Sequence, residues 1–181
     1  MFCRDGIHAT GVDRILAAAG ASKMTLYARF GSKEALVREA LRREGETWRA
    51  AFFEEVRGAS DDPGERLRAV VPALAGWFRG GRFYGCAFIN AAAEHTKGEP
   101  WVRELALEHG GACRTALREL AAAADAVVPD DLAAEIALLV DGTITGLMVS
   151  GNEAVLRTAA RVLDGMLRDA LPAPLPRPRA G

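Results

Sequence analysis

TGVDRILAAAGASKMTLYARFGSK, residues Thr10 to Lys33, divides by period into two short helices around a tight turn. Thr10 is of a type that caps a helix, and Val12, Ile15 and Leu16 give the following segment one apolar face. Gly20 is suited to the left-handed conformation that stops a helix. Ser22 then offers a new N-cap for a helix from about Lys23 to Phe30. Two helices around a short Gly-containing turn form a helix-turn-helix, whose second helix enters the DNA major groove. Leu26 and Phe30, four apart, face the core. Lys23, Met24, Thr25, Tyr27, Ala28 and Arg29 remain outside. Cationic and hydroxyl side chains on one face are what phosphates and base edges require, and Lys23, Met24 and Arg29 are the candidates for base readout.

The ordered set Gly20, Ser22-Lys23, Thr25-Leu26-Tyr27, Phe30 and Ser32-Lys33-Glu34-Ala35-Leu36 resembles the DNA-binding segment of the TetR family of transcriptional regulators. The resemblance implies an all-α protein in which Thr10, Thr25, Tyr27 and Lys33 match positions that hold phosphates. It also implies a helical body that dimerises and binds a small effector. MFCRDG at the start matches only the last turn of the family's first helix, so Phe2, Ile15 and Leu26 are expected to be thinly covered. A shortened sequence is the favoured explanation.

Charge supports the motif. Through Arg43 there are eight Lys/Arg against four Asp/Glu, and beyond it fifteen against twenty, within a net charge of −1. A basic end on an acidic body suits a chain that offers that end to DNA. With 181 residues, half of them hydrophobic and mostly Ala and Leu, the chain can bury a sizeable core. Cys3, Cys86 and Cys113 are too scattered for a disulfide framework or a zinc site, and no metal or cofactor is expected. No leading segment reads as a signal peptide, and no apolar run is judged long enough to span a membrane, so the expected location is cytoplasmic.

Three divisions are expected: 1–43 for DNA binding, 44–171 for effector binding and dimerisation, and 172–181 as a disordered Pro-rich tail. Ser32 opens a connecting helix to about Arg57. Pro63 opens one to about Arg79, and Cys86 to His95 reads as a short, very apolar helix in which Cys86 is a structural thiol. Pro100 opens a long helix that Gly110-Gly111 could kink. Two more follow, Leu132–Ser150 and Glu153–Leu171, each with more Leu, Ile, Val and Met than one buried stripe uses. Their surplus points to a dimeric four-helix bundle with Ile144, Leu147, Leu156, Leu163 and Leu167 at the interface.

Catalytic signals are poor, since His8, His95 and His109 stand at no triad or metal spacing. Trp77, Phe78, Phe83, Phe88 and Trp101, with Asn90, Glu94, His95 or Thr96 as orienting groups, read either as core or as the wall of a small-molecule cavity. The expected function is a DNA-binding transcriptional regulator, a repressor released from its operator by a small-molecule effector. The competing class is a helical enzyme or ligand carrier without operator affinity.

Overall fold

The computed structural model describes residues 1–81, 83–94 and 100–172. Among these residues there are ten helices and no strand: α1 Phe2–Asp5, α2 Val12–Ala19, α3 Lys23–Phe30, α4 Lys33–Gly58, α5 Pro63–Arg68, α6 Val70–Arg79, α7 Ala87–Glu94, α8 Pro100–Ala123, α9 Pro129–Ser150 and α10 Ala154–Ala170. His95 and Thr96 lie outside the described residues, as does the expected disordered tail from residue 173 onward.

Local chemistry sets the boundaries. Gly20 adopts φ 60°, ψ 30° and its N–H returns to the Leu16 carbonyl, closing α2. Ser22 and Ser32 accept the backbone N–H of Thr25 and Ala35, which starts α3 and α4. The single helix expected between Pro63 and Arg79 is instead two. Pro72 has no N–H for the Arg68 carbonyl and crowds it, so the chain turns at Ala69 before α6 begins. α8 runs unbroken through Gly110 and Gly111.

The main core joins Phe52, Phe53 and Val56 of α4 to Leu67, Leu74, Leu117 and Leu120, and to the inner faces of α9 and α10. A second cluster lies where the N-terminal helices meet the body: Ile7, Val37, Leu41, Phe88, Ala91, Trp101, Val102 and Leu105. α4 passes through both clusters, so the boundary expected at Arg43 falls inside one continuous helix. Leu26, expected to be thinly covered, is 5% exposed.

Two expectations are corrected by α9 and α10. Ile144, Leu147, Leu156, Leu163 and Leu167 are all buried within their own chain, so none is available to a partner. They fill the i, i+3, i+4 stripes by which α9 and α10 meet α5, α6 and α8. The surplus lies beside those stripes, in an apolar groove lined by Leu138, Leu139, Val155, Val162 and Met166, with Leu138 76% and Val162 41% exposed. The second correction concerns length. α9, with 22 residues and a mean hydropathy of 1.7 over its most apolar window, is long and apolar enough to cross a membrane.

Candidate nucleic-acid interface and ligand cavity

The exposed face of α3 gathers Lys23, Met24, Thr25, Tyr27 and Arg29. Met24 and Tyr27, 80% and 49% exposed, are apolar surface that their own chain leaves uncovered. The Arg29 guanidinium lies over the neighbouring Phe30 ring, 5.6 Å from its centroid. Lys23 pairs with Asp13 of α2 at 3.0 Å, and that bond raises its pKa. Thr25 shares its hydroxyl with the Ser22 cap at 2.9 Å.

Two expected DNA contacts take other roles. Thr10 is fully buried, and its hydroxyl donates to the Gly6 carbonyl at 2.5 Å, so it faces the loop and no phosphate. The N-cap of α2 is Gly11 instead. Lys33 is half-buried and its Nζ donates to the Ile7 carbonyl at 2.9 Å, so its ammonium serves the same loop. Residues 6–10 are thus fastened from three sides. The third fastening comes from the body: Glu94 Oε2, at the end of α7, accepts the N–H of Ile7 at 2.7 Å and of His8 at 3.1 Å. Gly6, at φ 88°, lets the loop approach this carboxylate, because a Cβ there would stand 3.1 Å from both its oxygens.

Behind the latch, α4, α7, α8 and α9 surround a cavity of about 360 Å³. Its aromatic wall is Trp48, Phe52, Trp77 and Phe88, in which Trp48 stacks on Phe52 with centroids 4.7 Å apart and meets Trp77 edge-on at 5.4 Å. Of the expected pocket residues, Trp77 and Phe88 line this cavity. Phe78, Phe83 and Asn90 open instead onto a separate shallow cleft beside Met148 and the α1 turn. Asn90 is occupied there, donating to the Tyr84 carbonyl at 2.8 Å. Trp101 belongs to the second core cluster under the Arg38 guanidinium, 4.9 Å from its ring centroid. The sequence reading gave no part in a pocket to His109, Cys113 or Asp141, nor to Trp48 and Phe52 on the connecting helix. Their i, i+4 spacing on α4 was visible, but nothing local showed a cavity beside it.

His109 sits at the centre of the wall, stacked on Phe88 at 4.1 Å. Arg49 can only donate, so its 2.7 Å contact makes Nδ1 the acceptor and leaves the proton on Nε2, facing Cys113 Sγ at 3.6 Å. Gly45 makes room for this contact, since a Cβ there would lie 2.8 Å from the Phe88 ring and 2.9 Å from Nδ1. Burial first, and the Arg49 charge second, push the His109 pKa down to about 4. Burial pushes Cys113 up to about 12 and also raises Cys86, so both thiols stay protonated.

The His109 shift has a testable sign. Between about pH 6.5 and pH 4 the unfolded chain binds a proton here that the folded chain rejects, so stability should fall as pH drops through that window. The same titration on His109→Gln should show a shallower fall. An equal slope in both proteins removes His109 as the cause.

Residues 1–40 match the family model described as bacterial regulatory proteins, tetR family. A TetR-family transcriptional regulator from Streptomyces coelicolor is 30% identical, and its structure superposes with a TM-score of 0.81 over 93% of this chain and 89% of that one. The chain belongs to the TetR family of transcriptional regulators. Other TetR-family structures share its fold. One from Chloroflexus aurantiacus is 23% identical, with a TM-score of 0.78 over 94% of this chain and 89% of that one. One from Cytophaga hutchinsonii is 18% identical, with a TM-score of 0.79 over 94% and 88%. No curated protein matches the chain. As a TetR-family protein it is an all-helical DNA-binding regulator, with the helix-turn-helix at α2–α3 and the helical body from α4 onward. Among the described residues no group of three His, Cys, Asp or Glu stands at metal-binding distance.

Proposed function

We propose that this regulator is a repressor, homodimeric and cytoplasmic, released from operator DNA by a small molecule in the α4–α7–α8–α9 cavity. The observation that carries this reading is the double attachment of α7. Phe88, in its first turn, lines the cavity, and Glu94, at its last residue, holds the loop that leads into α2. Six residues of helix span roughly 9 Å, so a ligand that displaces Phe88 moves the loop with it. Two copies packed through the α9–α10 groove would set the spacing of their recognition helices. Palindromic half-sites are met only when that spacing is about 34–36 Å or a multiple. A ligand favouring another spacing weakens operator binding by a coupling free energy of typically ~1–3 kcal/mol. Gel shifts with the DNA flanking the gene test the reading. Specific binding supports it, and saturable turnover or ligand binding without operator affinity would favour a helical enzyme or carrier.

The readout set is Lys23, Met24 and Arg29, with Thr25 and Tyr27 on phosphates. Arg29→Ala should weaken operator binding by ~1–3 kcal/mol and relax preference at one base pair, as expected for a bidentate guanine contact. Tyr27→Phe should weaken specific and random DNA alike, because a phosphate contact carries no base information. Competition titrations with operator and scrambled duplexes separate the two, and an Arg29→Ala protein with unchanged preference removes Arg29 from the set.

A further inference from the structure

The cavity wall donates hydrogen bonds and hardly accepts them. Among the described residues of its lining, those that carry a polar side-chain atom without being exposed are Cys3, Trp48, Trp77, Cys86, His109 and Cys113. An indole N–H only donates, and a thiol sulfur accepts weakly. His109 is the one side chain among them with a strong acceptor, and Arg49 takes it: Nδ1 receives the guanidinium N–H at 2.7 Å. The ring stays neutral at pH 7, so Nε2–H remains as a donor. Its hydrogen bond within the chain goes to the Cys113 sulfur, 3.6 Å away in the same lining. An oxygen would be a far better acceptor for it than that sulfur. Glu44, Asp141 and Arg114 also line the cavity, but all three are exposed and of both signs, so they fix no charge on an occupant.

We propose that the effector is a flat, uncharged aromatic molecule with a carbonyl-type oxygen, which takes the His109 Nε2–H in place of the Cys113 sulfur. This rests on the effector-binding reading above and adds the class of the ligand. Trp48, Trp77 and Phe88 supply faces for its rings, and a volume of about 360 Å³, near the lower end of the usual range, holds two or three fused rings. Arg49 is a positioning residue. It fixes which His109 nitrogen carries the proton, and so which kind of polar group the cavity prefers. A ligand offering only an N–H or O–H would lose its bond to water on entry and meet no oxygen or nitrogen acceptor among those six side chains.

Three planar tricycles of nearly equal size test this by equilibrium dialysis against the full chain, without DNA. 9-Fluorenone carries a carbonyl acceptor, fluorene has no polar group, and carbazole has an N–H donor. Fluorenone should bind about three- to tenfold tighter than fluorene, as one net hydrogen bond supplies. Carbazole should bind no tighter than fluorene. His109→Phe keeps the stacked ring and removes the N–H, so fluorenone should fall to the level of fluorene, itself unchanged. Arg49→Met releases Nδ1, so the ring can turn its Nε2 into an acceptor and carbazole should gain over fluorene. A shift of all three ligands alike in Arg49→Met would overturn the part given to Arg49. Fluorene or carbazole binding as tightly as fluorenone to the unaltered chain would overturn the acceptor assignment while leaving the effector-binding reading in place. Failure of all three to bind would overturn both. The ranking on the unaltered chain decides the matter even where a variant folds poorly.

Discussion

Val162→Glu should yield folded monomers of about the 19.3 kDa chain mass that no longer bind operator DNA, whereas Leu163→Glu, one residue further, should leave no folded chain. The two positions lie on different faces of α10. Val162 is 41% exposed and lines the apolar groove against α9, while Leu163 is 1% exposed in the core. A carboxylate at Val162 remains hydrated in the monomer, but an isologous two-fold contact would bury it twice. At Leu163 the side chain's packing, worth ~2–5 kcal/mol, is lost and an unpaired charge is buried in its place. Together these approach the ~5–15 kcal/mol that hold a domain folded. Circular dichroism and light scattering read both outcomes. A Val162→Glu protein that stays dimeric rules out the groove as the interface.

Glu94→Ala should uncouple the cavity from the DNA-binding helices. It removes the acceptor of two backbone N–H groups, one on the buried Ile7, at a cost of ~1–3 kcal/mol for such a loss. Thr10 and Lys33 still hold loop 6–10 to its own domain, so α2 and α3 should remain folded. What disappears is the carboxylate's share of the tie to α7, while the 3.1 Å contact of His8 Nε2 with the Glu94 backbone carbonyl stays. The 5- to 150-fold change in operator affinity that a coupling of ~1–3 kcal/mol represents should fall towards onefold on effector binding, with effector affinity itself nearly unchanged. Paired gel shifts with and without the bound molecule measure this. A full response in Glu94→Ala would place the coupling elsewhere, for instance along α4.

The helix-turn-helix was legible because its signals are local. Gly20 stops one helix and Ser22 caps the next, and each acts within four residues. The same local habit misled at Thr10, a good cap type whose hydroxyl is taken by Gly6. Pro72 was legible in principle, since a missing N–H four residues past Arg68 breaks a helix whatever surrounds it. Which face of α9 and α10 stays uncovered was not. α9 is apolar nearly all round, so its sequence reveals a surplus without saying which side its own chain covers. Glu94 was read as a group to orient a ligand, whereas its carboxylate holds backbone N–H groups more than eighty residues away. The cavity lies between four helices, and only their packing could bring Trp48, His109 and Asp141 to one wall.

The Lys23–Asp13 pair on the outer surface has a consequence for ionic strength. A base edge that takes this ammonium must displace a carboxylate already 3.0 Å away, so Asp13 acts as a resident competitor of the duplex for Lys23. A free cationic side chain brought into the groove releases condensed cations, and each phosphate charge so neutralised steepens log K against log[salt] by about 0.9. Freeing the Asp13 carboxylate takes up part of that released cation again. The recognition helix should therefore hold DNA with a shallower salt dependence than its complement of basic side chains indicates, and Asp13 would spare the regulator from lingering on the rest of the chromosome.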